Sequence, residues 1–213
     1  MDLDSLARTR RALHGVAETL LAGPQYRGPA ATIRLRPVPG GFATRTDPPL
    51  LVVDGALLTP DGTGHPLAGS TCAALAAAAG ITPGGPQGLY ADGSGVAPDE
   101  PLHVEPACAR LIADAFARGD AALREAFPGC DPVLWPEHFD LGVTVAEVNY
   151  GVSPGDGFLP EPYAYVGPHT PRTGAFWNAP FGAARRLADL PTQGDLTAFF
   201  TEGRDLAAVG TSN

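Results

Sequence analysis

Two residues apart on one extended segment, His138 and Asp140 are spaced to share a strand face, and Glu161 from a neighbouring segment is the natural third member. An imidazole oriented by a carboxylate titrates near neutrality and moves protons. The trio therefore reads as a general acid/base set, with His138 as the proton-transfer residue. The same mix of one nitrogen and two oxygens also suits a divalent metal, which leaves a metal-dependent enzyme as an alternative. Alternation then brings Asn149, Tyr163 and Tyr165 to the same face. Trp135 and Trp177 are expected as apolar walls, and His169 and Arg172 either close over an anionic ligand or occupy a solvent-facing turn.

Those residues need a sheet to hold them. Segments 137–145, 147–153 and 161–167 alternate polar and apolar positions, with Ser153-Pro154-Gly155-Asp156 as a turn between the second and third. One face carries Phe139, Leu141, Val143, Val148, Tyr150 and Val152, which must meet helices. The other carries the acids, amides and phenols. That second face is a ligand site, a structural hydrogen-bond network, or a surface turned to water.

The motifs LWPEHFDLGVT, NYGVSPGD, PEPYAYVGPH and FWNAPFGA, which fall within residues 131–186, resemble those of an uncharacterised actinobacterial protein family, a domain of unknown function. The resemblance implies no reaction and no cofactor. Actinobacterial origin also fits a chain whose 14 basic residues are all arginine, amid abundant Ala, Gly and Pro.

Composition removes several classes. A net charge of -9 disfavours a nucleic-acid surface. Three cysteines without CxxC spacing argue for free thiols in a reducing cytoplasm rather than disulfides or a zinc knuckle. No apolar run is long enough to span a membrane, and no basic signal region opens the chain, so a cytoplasmic location is expected. There is no nucleophile elbow, dinucleotide loop or phosphate loop, and without lysine a Schiff base is impossible. No cofactor is expected.

Elsewhere the pattern predicts a first helix ending at Gly23-Pro24, with Arg8, Arg10, Arg11 and His14 on its solvated side. A strand is expected at 31–36, a hairpin around Asp54-Gly55, and a short helix over 72–79. Residues 81–101 form a Gly/Pro-rich stretch of a length that is often functional or connects domains, and a wrapping connection between the two halves is expected. A helical stripe from Cys108 to Phe127 is open to a break at Gly119-Asp120. A short helix through Arg185 and Arg186, a final helix after Asp195 and a frayed tail at Gly210–Asn213 complete the pattern.

The expectation is an α+β fold: a bent antiparallel sheet with helices packed on one face. It forms one domain over residues 1–213, with a possible N-terminal subdomain at 1–80 and a sheet-bearing core at 102–209. The chain reads as an acid/base enzyme acting on a small organic molecule, or else as a non-catalytic ligand-binding or protein-interaction module. Its expected partner is a small-molecule ligand.

Overall fold

Asp2 caps the first helix. Its carboxylate accepts the Asp4 and Ser5 amides at 3.3 and 3.1 Å, taking up two of the N–H groups that a helix start leaves unpaired. The computed structural model describes residues 2–90 and 93–208, and the tail at Gly210–Asn213 lies outside them. Helix α1 (Leu3–Val16) does not end at Gly23-Pro24. It widens into a π-helical segment (Ala17–Ala22) and continues as α2 (Gly23–Arg27).

Proline accounts for the change of register. Pro24 has no N–H to donate, and its ring crowds the carbonyl four residues back. The Gly23 amide instead reaches Glu18 O, five residues back. Thr19 O is thereby left for a donor outside the helix, and the Gly84 amide supplies it at 3.0 Å. The close approach needs a glycine: a Cβ at Gly23 would stand 1.7 Å from Gly84 O.

A first antiparallel sheet follows in meander order: β1 (Arg36–Val38), β2 (Gly41–Ala43), β3 (Leu51–Val53), β4 (Ala56–Leu58) and β5 (Gly64–Pro66). The strand expected at 31–36 is displaced towards the C-terminus, and Leu35 makes an isolated bridge to Leu134. Pro37 fits because β1 is an edge strand, where the missing donor is not needed. The β3–β4 hairpin turns at Asp54 and Gly55, both at positive φ (50° and 75°), as a type I′ turn requires. Thr71 caps α3 (Cys72–Ala79) through Ala74 N, and Gly80 closes it in the left-handed conformation.

Helix α4 (Pro106–Ala126) runs unbroken through Gly119-Asp120. Gly119 is there for packing, since a Cβ would meet the Val152 side chain at 2.8 Å, and Asp120 pairs with Arg124 one turn on. A second antiparallel sheet contains β6 (Val133–Trp135), β7 (Asp140–Val145), β8 (Val148–Ser153), β9 (Tyr163–Pro168) and β10 (Ala183–Arg186), in the order β10-β9-β8-β7-β6. The helix expected through Arg185 and Arg186 is therefore a strand. Ala183–Arg186 pairs residue by residue with Tyr163–Val166, and Gly182, at φ 140°, brings the chain tight against β9. Helix α5 (Gln193–Ala208) opens with a reciprocal cap between Thr192 and Asp195.

The chain divides into two compact units. One comprises Met1–Asp114 and Leu134–Phe139, the other Ala115–Val133 and Asp140–Asn213. The first unit buries Leu6, Val16, Leu20, Phe42, Leu57 and Phe139. In the second, the apolar sheet face meets helices as expected: Tyr150 packs against Phe127 and Phe200, and Val166 against Gly203 of α5. Cys72 and Cys108 are buried, Cys130 is half-buried, and all three are free; burial pushes the Cys72 thiol up to about 11. Among the described residues no helix is long and apolar enough to cross a membrane.

Candidate functional site

The expected trio is divided between the two units, His138 in the first and Asp140 and Glu161 in the second. His138 does not lie on a strand face: residues 136–139 form a turn, and β7 begins only at Asp140. Phe139 breaks the alternation by adopting φ +53°, an unusual conformation for a bulky residue. His138, with 65% of its side chain exposed, has Glu137 as its ionic neighbour at 3.8 Å. Asp140 accepts the hydroxyl of Tyr165, and Glu161 stands 3.7 Å from Arg186. Among the described residues no group of three or more His, Cys, Asp or Glu side chains is placed to hold a metal ion.

The second unit does build the shared face that alternation implied. Cα register places Gly142 opposite Gly151 and Gly151 opposite Tyr165. The two glycines form a floor under the phenol: a Cβ at Gly151 would lie 2.4 Å from the Tyr165 hydroxyl, and one at Gly142 2.9 Å. Burial, reinforced by the Asp140 charge, holds the Tyr165 phenol well above its usual value. Next to it Tyr163 donates to Asp156 Oδ2 at 2.5 Å, while Asp156 Oδ1 accepts the Phe158 and Leu159 amides. Burial and Asp156 raise the Tyr163 phenol as well. Asn149 accepts from Thr144 at 2.7 Å and lies 3.4 Å from His169 Nε2.

Both phenols thus stay protonated and spend their hydrogens on carboxylates. Asp156 was not among the residues singled out from sequence; its turn position concealed the pairing with Tyr163. The tryptophans fall in different units. Trp135 lies under the Arg34 guanidinium at 5.7 Å, and Trp177 packs edge-on to Phe176.

The first unit holds a second gathering of ionisable groups, which His138 joins. His14, expected on a solvated side, is half-buried. Its ring stacks on Phe139 with centroids 5.6 Å apart, and its Nε2 lies 2.6 Å from Pro136 O. A carbonyl can only accept, so Nε2 carries the proton and Nδ1 the lone pair. Burial pushes the His14 pKa down; the Pro136 carbonyl and the Glu18 charge oppose that shift.

One turn further on, in the π-helical segment, Glu18 Oε2 accepts the Ser94 amide and hydroxyl at 3.0 and 2.8 Å. A Cβ on Gly93 would come within 2.4 Å of Glu18 Oε1, so a larger residue there would displace the carboxylate. The Tyr90 hydroxyl is buried and makes no well-formed hydrogen bond among the described residues; burial, then the charge and acceptor oxygens of nearby Glu18, then the Glu137 charge raise its pKa. The charge of His138 in turn acts on His14.

Each member reaches this place for a local reason. Pro24 forces the π turn that carries Glu18. The loop after α3 is drawn over it by the Thr19–Gly84 bond and by Arg27, which donates to Thr82 O and Gly84 O. The left-handed Phe139 turns Pro136, Glu137 and His138 back towards α1. The sequence pattern did not point here: Gly23-Pro24 read as a helix end and residues 81–101 as a connection between the two halves. The molecule is thus an α+β protein with two antiparallel sheets, one unit bearing a His-Glu-Tyr cluster and the other a phenol-carboxylate face. No family model, curated protein or solved structure matches the chain.

Proposed function

We propose that this protein acts on a small organic molecule by proton transfer at the cluster of His14, Glu18, Tyr90 and His138. The observation that carries the reading is His14: a half-buried imidazole fixed in one tautomer by a carbonyl, beside a held carboxylate on a π-helical turn. Lowered by burial, it is neutral at neutral pH, and Nδ1 is a base that needs no prior deprotonation. Tyr90 keeps its proton and makes no well-formed hydrogen bond among the described residues, which suits a donor to a developing negative charge on substrate oxygen. Glu18 stabilises the imidazolium that forms when His14 takes up a proton. His138, exposed beside Glu137, forms the solvent-facing side of the cluster. Extended π-helical turns are rare and are frequently found at functional sites, which adds weight to the position of Glu18.

Turnover of a cell-derived metabolite pool, followed by mass spectrometry, tests this. Glu18→Gln keeps an acceptor for Ser94 and should lower turnover by about 10²-fold or more, as should His14→Gln. Tyr163→Phe, in the other unit, should leave it unchanged. Equal turnover by all four proteins would remove the proposal.

A non-catalytic reading attaches to the second unit. Phe158 and Phe181 are 43% and 39% exposed and stack edge-on beside Tyr163, as a recognition surface would. Ligand binding there without turnover by any variant would favour it.

A further inference from the structure

A cleft of about 190 Å³ lies within the second unit, between the β7–β8 turn, the loop after β9 and the end of α5. That is well over tenfold the ~10–15 Å³ that one water needs. Its walls are apolar on most sides, from Val145, Val148, Tyr150 and Ala207, and its charges come from Arg172, Arg204 and Glu147. Arg172 uses Nη2 to hold Ala207 O at 2.9 Å, the ordinary duty of a cation at a helix C-terminus. Its Nε is buried and has no acceptor among the described residues. A guanidinium normally offers that N–H as one prong of a fork matched to two oxygens, and a buried donor without an acceptor is costly.

The neighbouring turn is strained as well. Ala146 and Glu147 occupy both central positions at φ 48° and 61°, where Asn-Gly would be at ease. Strain of this kind clusters at ligand-binding edges, and here His169 N pins the turn through Glu147 O at 2.9 Å.

We propose that this cleft binds a small organic monocarboxylate, with its carboxylate on Arg172 and its apolar body against Val145, Val148, Tyr150 and Ala207. Charge sets the class. Arg204 already pairs with Asp205 at 2.9 Å, and Glu147 offsets part of what remains, so a single negative charge matches better than a phosphate dianion. Binding turns the Nε edge of Arg172 into the cleft and gives it the acceptor it lacks. The site shares no residue with the His14 cluster, so each proposal can fail without the other.

Calorimetric titration of the whole chain with hexanoate, hexanamide and inorganic phosphate, at matched ionic strength, tests it. Hexanoate should bind with Kd below about 1 mM, and hexanamide and phosphate at least roughly tenfold more weakly. Arg172→Gln, which can still donate to Ala207 O, should weaken hexanoate about tenfold or more. Val145→Phe fills the cleft, leaves both arginines in place and should do the same; the Tm of each variant is recorded alongside. Glu147→Gln removes a like charge and should tighten binding severalfold. Any one of four results overturns the assignment: no binding of hexanoate, equal binding of hexanamide, tighter binding of phosphate, or wild-type affinity in both folded Arg172→Gln and Val145→Phe. Weaker binding in Glu147→Gln would likewise refute a purely anionic ligand.

Discussion

The two units treat their polar side chains in opposite ways. On the sheet of the second unit, Tyr165 and Tyr163 give their hydrogens to Asp140 and Asp156, and the glycine floor holds the Tyr165 ring in place. In the first unit, His14 is tied to a carbonyl and Glu18 to a serine, while the Tyr90 hydroxyl, near Glu18, makes no well-formed hydrogen bond among the described residues. A network with its donors and acceptors matched rigidifies a fold. One with capacity left over, next to a base kept neutral by burial, is placed to act on something else. The residue types are similar; their pairing separates structure from proposed chemistry.

The largest effect expected is on activity: a loss of about 10²-fold or more in Glu18→Gln, with Tyr163→Phe unaffected. Next comes the glycine floor. Gly151→Ala would place a methyl 2.3 Å from Leu141 O and 2.4 Å from the Tyr165 hydroxyl, so backbone and ring must both move. A loss of about 3 kcal/mol in denaturant unfolding is expected, with a Tm lowered by about 2–4 °C per kcal/mol. Wild-type stability would mean that the close approach is not real. Removing the hydroxyl in Tyr165→Phe strips Asp140 of a donor and should cost about 1–3 kcal/mol.

The pH dependence should be smaller. Because the folded state lowers the His14 pKa, the unfolded chain binds more protons in the window just below the ordinary histidine value of about 6.5. Stability therefore rises with pH through that window and is lost as pH falls through the folded pKa. Unfolding curves measured from pH 7 downwards should show that loss in the wild type and a flatter profile in His14→Gln.

Much of the fold was legible where local chemistry decides. Asp54-Gly55 specified its hairpin, Thr71 and Gly80 bounded α3, and strand alternation put Asp140, Gly142, Asn149, Gly151 and Tyr165 on one face. Where distant parts decide, the sequence was silent. His14 is half-buried because a turn more than a hundred residues away, set by the left-handed Phe139, lays a carbonyl and a ring against it. His138 left the strand face for the same reason. Pro24 read as a terminator, although the chain continued by changing its hydrogen-bond step. The strand at Ala183–Arg186 is short and alanine-rich, and its conformation follows its neighbour rather than its own propensity.

The most direct measurement pairs one variant from each unit: Tyr90→Phe and Tyr165→Phe, each assayed for unfolding free energy and metabolite turnover. In Tyr90→Phe, loss of a buried hydroxyl that makes no well-formed hydrogen bond among the described residues should leave stability unchanged or raise it by about 1 kcal/mol, while turnover falls at least about tenfold. In Tyr165→Phe, stability should fall and turnover should hold. A Tyr90→Phe protein that loses stability and keeps full turnover would contradict the central distinction between the two units.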